Sequence, residues 1–167
     1  MTLSPTQIDF REGMSRLGAA VNLITTDGPA GRHGLTASAV CSVTDSPPTL
    51  LVCINRNAFA HDRFVENGAL AVNVLAAEHQ ALSGVFARYV EGVDRFAQGS
   101  WITGASGAPI LADANVAFDC RIAGLQHEGT HSVFFCEVLG VHLTPHTRPG
   151  LVWFGRDYHH LTAERPR

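Results

Sequence analysis

The chain has 167 residues, 46% of them hydrophobic and 16% charged, which is enough to bury one core and too little for two. A formal net charge of −3 with no basic run removes the electrostatic footprint of a nucleic-acid binder. All 12 basic side chains are arginine, so Schiff-base chemistry, a P-loop lysine and an internal PLP aldimine are excluded.

A single domain is expected over 1–167, with its core in about 10–161. Ser4-Pro5-Thr6-Gln7 reads as a helix start, and Ile8, Met14 and Leu17 follow at spacings compatible with one helical face that ends near Gly18. Residues 20–26 read as a strand, 27–31 as a turn, and 34–44 as the returning strand of a hairpin. The apolar run 50–54 is a further strand, 60–66 a short helix and 69–74 another strand. Residues 78–86 read as helical, and the glycine-rich 99–107 as a surface loop. Strands return at 116–123, 132–144 and 151–154. Many short strands with few helices predict a mainly β protein, a β-barrel whose closure removes exposed edges, with peripheral helices. The chain has no GxGxxG, which argues against a Rossmann dinucleotide site.

The segment 34–55 carries most of the chemical information. Thr36, Ala37, Ser38 and Ala39 are small enough to let a flat ring approach the backbone, and hydroxyls and N–H groups there suit ring carbonyls or phosphate. The same pattern also describes an ordinary hairpin with a crowded face. The cysteines, 41, 53, 120 and 136, contain no CxxC pair and read as reduced, none of them catalytic. His142, His146, His159 and His160 lack metal-ligand spacing, so no metal site is expected. No G-x-S-x-G elbow supports a hydrolase. No apolar run approaches the ~20 residues of a membrane span, and the N-terminus lacks a signal-peptide pattern. The expected location is cytoplasmic.

Several features in order along the chain are shared with one family: Phe10-Arg11 with Met14 and Gly18, the run 34–42, Pro47-Pro48, 71–75, Arg95-Phe96 and Gly107-Ala108-Pro109. Phe118-Asp119-Cys120, Glu128-Gly129-Thr130-His131 and Leu151-Val152-Trp153-Phe154 with Tyr158 complete the set. The chain resembles the short-chain flavin reductases of two-component monooxygenases, and within them the branch serving pyrimidine-ring-opening (uracil-degrading) systems. The resemblance implies a split β-barrel and a homodimer with FMN at its interface, FAD being the alternative flavin. It also implies NADH as hydride donor and release of reduced flavin to a separate flavin-dependent monooxygenase.

Carried over by position, Thr36 to Ala39 would line the flavin ring, Ser42 and Thr44 would hold its ribityl or phosphate end, and Cys53 with Asn55 would close the other side. Phe86 would complete the cofactor set. Arg56 and Arg88 would grip phosphate through paired guanidinium donors; the plainer reading of either is a solvated charge. His131 stands where the family carries Gly-Asp-His and would position flavin and nicotinamide. Here Thr130 replaces the aspartate, which leaves no carboxylate to assign. A structural histidine is the alternative. Two other functions fit the same barrel, a flavin-storing or flavin-sensing module and an oxidase with a resident flavin.

Overall fold

The computed structural model describes residues 3–162, so both ends of the expected domain, 1–2 and 163–167, lie outside the described residues. Helix α1 (Pro5–Ser15) begins as the sequence predicts. The Ser4 hydroxyl accepts from the Gln7 N–H at 3.3 Å and the Gln7 side chain accepts from the Ser4 N–H at 2.8 Å, a reciprocal cap with proline at the first turn. It stops at Ser15, short of Gly18, and buries none of its side chains.

The strands that follow are β1 (Ala19–Ala20), β2 (Asn22–Thr26), β3 (His33–Ala37), β4 (Val40–Asp45) and β5 (Pro48–Asn55). After α2 (His61–Asn67) come β6 (Ala69–Val74) and α3 (Gln80–Ala87). A small hairpin, β7 (Trp101–Thr103) and β8 (Pro109–Leu111), precedes the long pair β9 (Val116–Glu128) and β10 (His131–Leu143), and β11 (Gly150–Phe154) with β12 (Asp157–Leu161) closes the chain. Seven strands form one antiparallel sheet in the order β3-β2-β6-β9-β10-β5-β4, and β1-β11-β12 forms a second. The expected mainly β, split-barrel fold is what the chain adopts.

Four local expectations are corrected. Residues 34–44 are not one strand: β3 pairs with β2 while β4 pairs with β5, at opposite edges of the large sheet. The strand expected over 20–26 breaks at Val21, whose N–H donates to Leu151 O and whose carbonyl accepts from Leu75 N, joining the two sheets. The loop expected over 99–107 contains β7, and the closing hairpin has a second strand, β12.

The edge placement of β3 and β4 dictates closure. Six inter-strand steps of about 4.8 Å would hold the edges of a flat sheet roughly 29 Å apart, whereas the three Cα steps from Ala37 to Val40 span at most roughly 11 Å. The sheet must therefore curl until its edges meet at Ser38 and Ala39.

Strand β2 is buried throughout, and its neighbours Leu23 and Ile24 point into different clusters. Ile24, Val52, Ile54, Phe64, Leu70 and Phe134 fill the barrel under α2, while Leu23, Leu75, Phe86, Ile110, Leu111 and Leu151 pack under α3 and the β7–β8 hairpin. Burial on both faces explains why the central strands read as continuous apolar runs. Buried Asn73 ties this second layer to the sheet, donating to Leu23 O at 3.1 Å and Thr25 Oγ1 at 3.0 Å and accepting from Leu111 N at 2.7 Å. No described helix is long and apolar enough to cross a membrane.

Candidate active site

The cradle segment lines a concavity of about 250 Å³ bounded by Val21, Thr36, Ala37, Ser38, Ala87, Trp153 and Tyr158. Three elements build it: the end of β3, the C-terminus of α3, and the β11–β12 hairpin that Val21 draws alongside. The Thr36 hydroxyl donates to Ser83 O at 2.6 Å, and the Tyr158 hydroxyl meets Ser83 Oγ at 2.8 Å, so α3 fixes both walls. Trp153 and Tyr158 meet edge to face with centroids 4.9 Å apart. Their aromatic wall is absent from the sequence reading, which noted Leu151–Phe154 and Tyr158 only as shared features. Here a flat aromatic ligand finds small residues on one side and rings on the other, so the expected flavin fits the residues present.

Cys53, Asn55 and His131 meet on the outer face of β5 and β10. His131 stands opposite Asn55 and Val133 opposite Cys53, while the Cys53 N–H donates to Ala39 O at 3.0 Å. Side chains alternate along a strand, so Cys53, Asn55 and His131 share this face, while Ile54, Phe134 and Ser132 face the core. The structure thus brings Ala39, Cys53, Asn55 and His131 together beside the β3–β4 link. His131 Nδ1 lies 2.9 Å from the Thr130 hydroxyl, and Asn55 Oδ1 accepts from Asn57 N at 2.9 Å. Burial, then the neighbouring Cys41 thiol, pushes the Cys53 thiol up from its ordinary value. That keeps it protonated and unreactive.

The remaining predicted residues fall elsewhere. Ser42 stands opposite Leu50, on the face away from Cys53. Thr44 stands opposite Thr49 at the far turn, where its hydroxyl accepts from Ser46 N at 3.2 Å. Six residues along β5 put it roughly 20 Å from the Asn55 end, too far to share a group held there. Phe86 is only 1% exposed and packs on Phe96 and Trp101, with ring centroids 5.1 and 5.7 Å away, so it is a core residue and no ligand contact. Arg88 is exposed directly after Ala87 of the cradle, whereas Arg56 lines a different, larger concavity. The two arginines do not converge on one phosphate.

Two histidine clusters went unseen in the sequence. Under α2, His61 Nδ1 meets Asp62 Oδ1, His61 Nε2 meets Ser132 Oγ, and Ser132 Oγ meets His127 Nδ1, each at 2.8 Å. Elsewhere Glu78, His79 and Asp113 gather within metal-binding range of one another. His79 Nδ1 accepts the Ala76 N–H at 3.1 Å, so neutral His79 carries its proton on Nε2, which faces Asp113 Oδ2 at 3.3 Å. Arg148 already pairs with both carboxylates. Within the cluster His79 Nε2 and Asp113 Oδ1 are buried without a hydrogen-bond partner among the described residues, and the Arg148 guanidinium is the cation the two carboxylates share.

The barrel and its small-residue cradle define a protein of the kind that holds a flat aromatic ligand. Residues 14–162 match the flavin reductase like domain, and the chain belongs to that family. An FMN reductase (NADH) RutF of Variovorax paradoxus is 55% identical over 155 residues, covering 93% of this chain and 86% of that one. A flavin reductase structure from Haemophilus somnus superposes with a TM-score of 0.88 at 45% identity, covering 95% of this chain and all of the other. BorF, the flavin reductase component of a bacterial two-component tryptophan halogenase, superposes with a TM-score of 0.86 at 29% identity over 94% of this chain and 99% of its own.

Proposed function

We propose that the chain catalyses NADH-dependent reduction of FMN and releases the reduced flavin to a partner flavin-dependent monooxygenase in the cytoplasm. The observation that carries this reading is the cradle at Thr36 to Ser38, walled by Trp153 and Tyr158 and continued by Ala39, Cys53, Asn55 and His131 on the outer sheet face. The redox chemistry is the flavin's, whose ring takes a hydride from the nicotinamide. The protein supplies position. Backbone groups at residues 36–39 meet the ring edge, the exposed Arg88 guanidinium takes the phosphate, and His131, steadied through Thr130, holds the nicotinamide against the ring. The name shared by relatives above 50% identity supports a role in pyrimidine degradation.

The shallow cradle implies a second wall from another copy of the chain. Strand β4 is exposed over Cys41–Asp45 at an edge of the sheet, and Val43, Leu139, Val141 and Leu143 are 48–76% exposed. Homodimerisation covers this apolar surface. Steady NADH oxidation by the purified protein with FMN, with FAD and with no flavin tests the function, and rates independent of added FMN contradict it. His131→Asn retains more of the hydride-transfer rate than His131→Ala, with FMN affinity little changed in both. Equal, wild-type rates in both variants remove the positioning role. Light scattering checks the dimer, which a fully active monomer overturns.

A further inference from the structure

A further concavity, about 250 Å³, opens beside the start of β3, and its lining includes Arg32, His33, Tyr89, Asp94, Arg95 and Phe96. It shares no lining residue with the cradle. His33 and Ala37 stand at opposite ends of β3, roughly 13 Å apart along the strand, so the two regions are separate. The proposed flavin chemistry leaves this one unused.

Its wall carries an uncompensated charge. Arg95, in the 3₁₀ turn Arg95–Ala97, is only 7% exposed, and its Nη1 donates to Gly34 O at 2.9 Å. Its guanidinium carbon otherwise lies 5.4 Å from the Phe86 ring centroid and 5.6 Å from that of Tyr89, and no carboxylate among the described residues pairs with it. Arg63 of α2 is in the same condition: it donates to Phe59 O at 2.8 Å and covers the Phe59 ring, which stacks on Tyr89. The two nearby carboxylates are already engaged, Asp27 with Arg32 Nε at 2.9 Å and Asp94 with the Phe96 N–H at 3.0 Å. Three guanidinium groups thus stand against two carboxylates around His33, whose Nδ1 is buried with no hydrogen-bond partner among the described residues. Burial, then Arg63, then Arg95 hold that imidazole below its ordinary value against the opposing pull of Asp27. A buried charge without a counter-ion is costly, and a hydrogen-bonding anion relieves the cost.

We propose that this concavity binds an inorganic oxyanion of the phosphate and sulfate class, with the Arg95 guanidinium as its main donor and Arg32 at the rim. A guanidinium offers paired N–H donors that match two oxygens of a tetrahedral anion. The volume admits such an anion with water around it and falls below the roughly 300–1,000 Å³ of sites that enclose drug-sized molecules, which excludes a nucleotide. Occupancy neutralises Arg95 and holds the segment from Tyr89 to Phe96 against β3, so it stabilises the fold whether or not flavin is bound. An anion beside His33 also raises the imidazole back toward its ordinary value, so binding takes up a proton and tightens as pH falls.

The test is thermal unfolding of the flavin-free protein in sodium sulfate or sodium phosphate against sodium chloride of equal ionic strength. Sulfate and phosphate raise the melting temperature saturably, by roughly 5–10 °C at a hundredfold excess over the dissociation constant, and chloride does not. The sulfate dissociation constant falls as pH is lowered from about 8 to about 6, and His33→Gln removes that dependence. Arg95→Met keeps an apolar stem against Phe86 and abolishes the response. Arg32→Gln, at a half-exposed side chain, weakens sulfate binding about threefold to tenfold in a protein that folds normally, so the site stays testable if Arg95→Met does not fold. FMN titrates alike with and without saturating sulfate. A linear rise that never saturates, the general effect of excluded salts, counts against the site. Sulfate indistinguishable from chloride, a full response in Arg95→Met or in Arg32→Gln, a pH dependence that survives in His33→Gln, displacement of sulfate by FMN, or 5′-AMP binding more tightly than phosphate would each overturn it.

Discussion

Asn73→Ala is the sharpest probe of what holds the barrel against its outer layer. The asparagine is fully buried, and its amide and carbonyl join β2, β6 and β8 through three hydrogen bonds of 2.7–3.1 Å. Each contributes about 1 kcal/mol net, and the Leu111 N–H left without its acceptor costs about 1–2 kcal/mol more, for a loss of about 4–5 kcal/mol. At about 2–4 °C per kcal/mol for a chain of this size, the melting temperature falls by roughly 8–20 °C. Urea titration followed by tryptophan fluorescence, which Trp101 and Trp153 report, measures the loss directly.

Asn73→Asp adds a pH signature to the same site. It keeps the acceptor for Leu111 and loses the amide donors, and burial raises the folded-state pKa of the new carboxyl. A raised folded pKa means that the variant is most stable below the unfolded value of about 3.9 and loses stability as pH rises through the folded value. An alanine variant within 1 kcal/mol of wild type at unchanged m-value, or an aspartate variant with no such pH dependence, refutes this account of Asn73 as the tie.

Three further outcomes are expected. Ser38→Phe fills the cradle and weakens FMN binding at least tenfold in a protein that still melts cooperatively; an unaltered FMN titration removes this segment from the site. Under native alkylation buried Cys120 and Cys136 stay unmodified because burial raises both thiols, Cys136 to about 12; intact mass shows no disulfide and activity survives the treatment. Hydrogen bonds from Arg156, then Arg16, hold the Glu12 carboxyl below its ordinary value, so its tie between α1 and the turn after β11 persists above the unfolded value of 4.5 and is lost as pH falls through the folded one. Protection factors of the α1 amides, taken relative to intrinsic exchange at each pH, therefore fall in acid, and Glu12→Gln abolishes that dependence.

What could be read from the sequence was what neighbours in the chain decide. Ser4, Pro5 and Gln7 satisfy one another within a single turn, so the start of α1 was legible. The split between β3 and β4 was not, because no glycine or proline interrupts Thr36 to Val40 and the break comes from partners β2 and β5 on opposite edges. Phe86 was assigned to the ligand from position alone; its ring instead packs against Gly34, where an added Cβ would come within 2.9 Å of it. The His61–Ser132–His127 relay joins residues up to 71 apart, a spacing that carries no pattern. Trp153 and Tyr158 become a wall only when Val21 pairs with Leu151 and brings the second sheet to the first.

The link at Ser38 and Ala39 joins strands that have five others, drawn from as far as residue 143, paired between them. The cradle itself takes its walls from residues between Val21 and Tyr158. The capacity to hold a flat ring therefore serves as an assay of completed folding that helix or strand content cannot replace. A ligand that recognises only the closed seam stabilises the finished barrel by mass action and leaves every earlier species untouched.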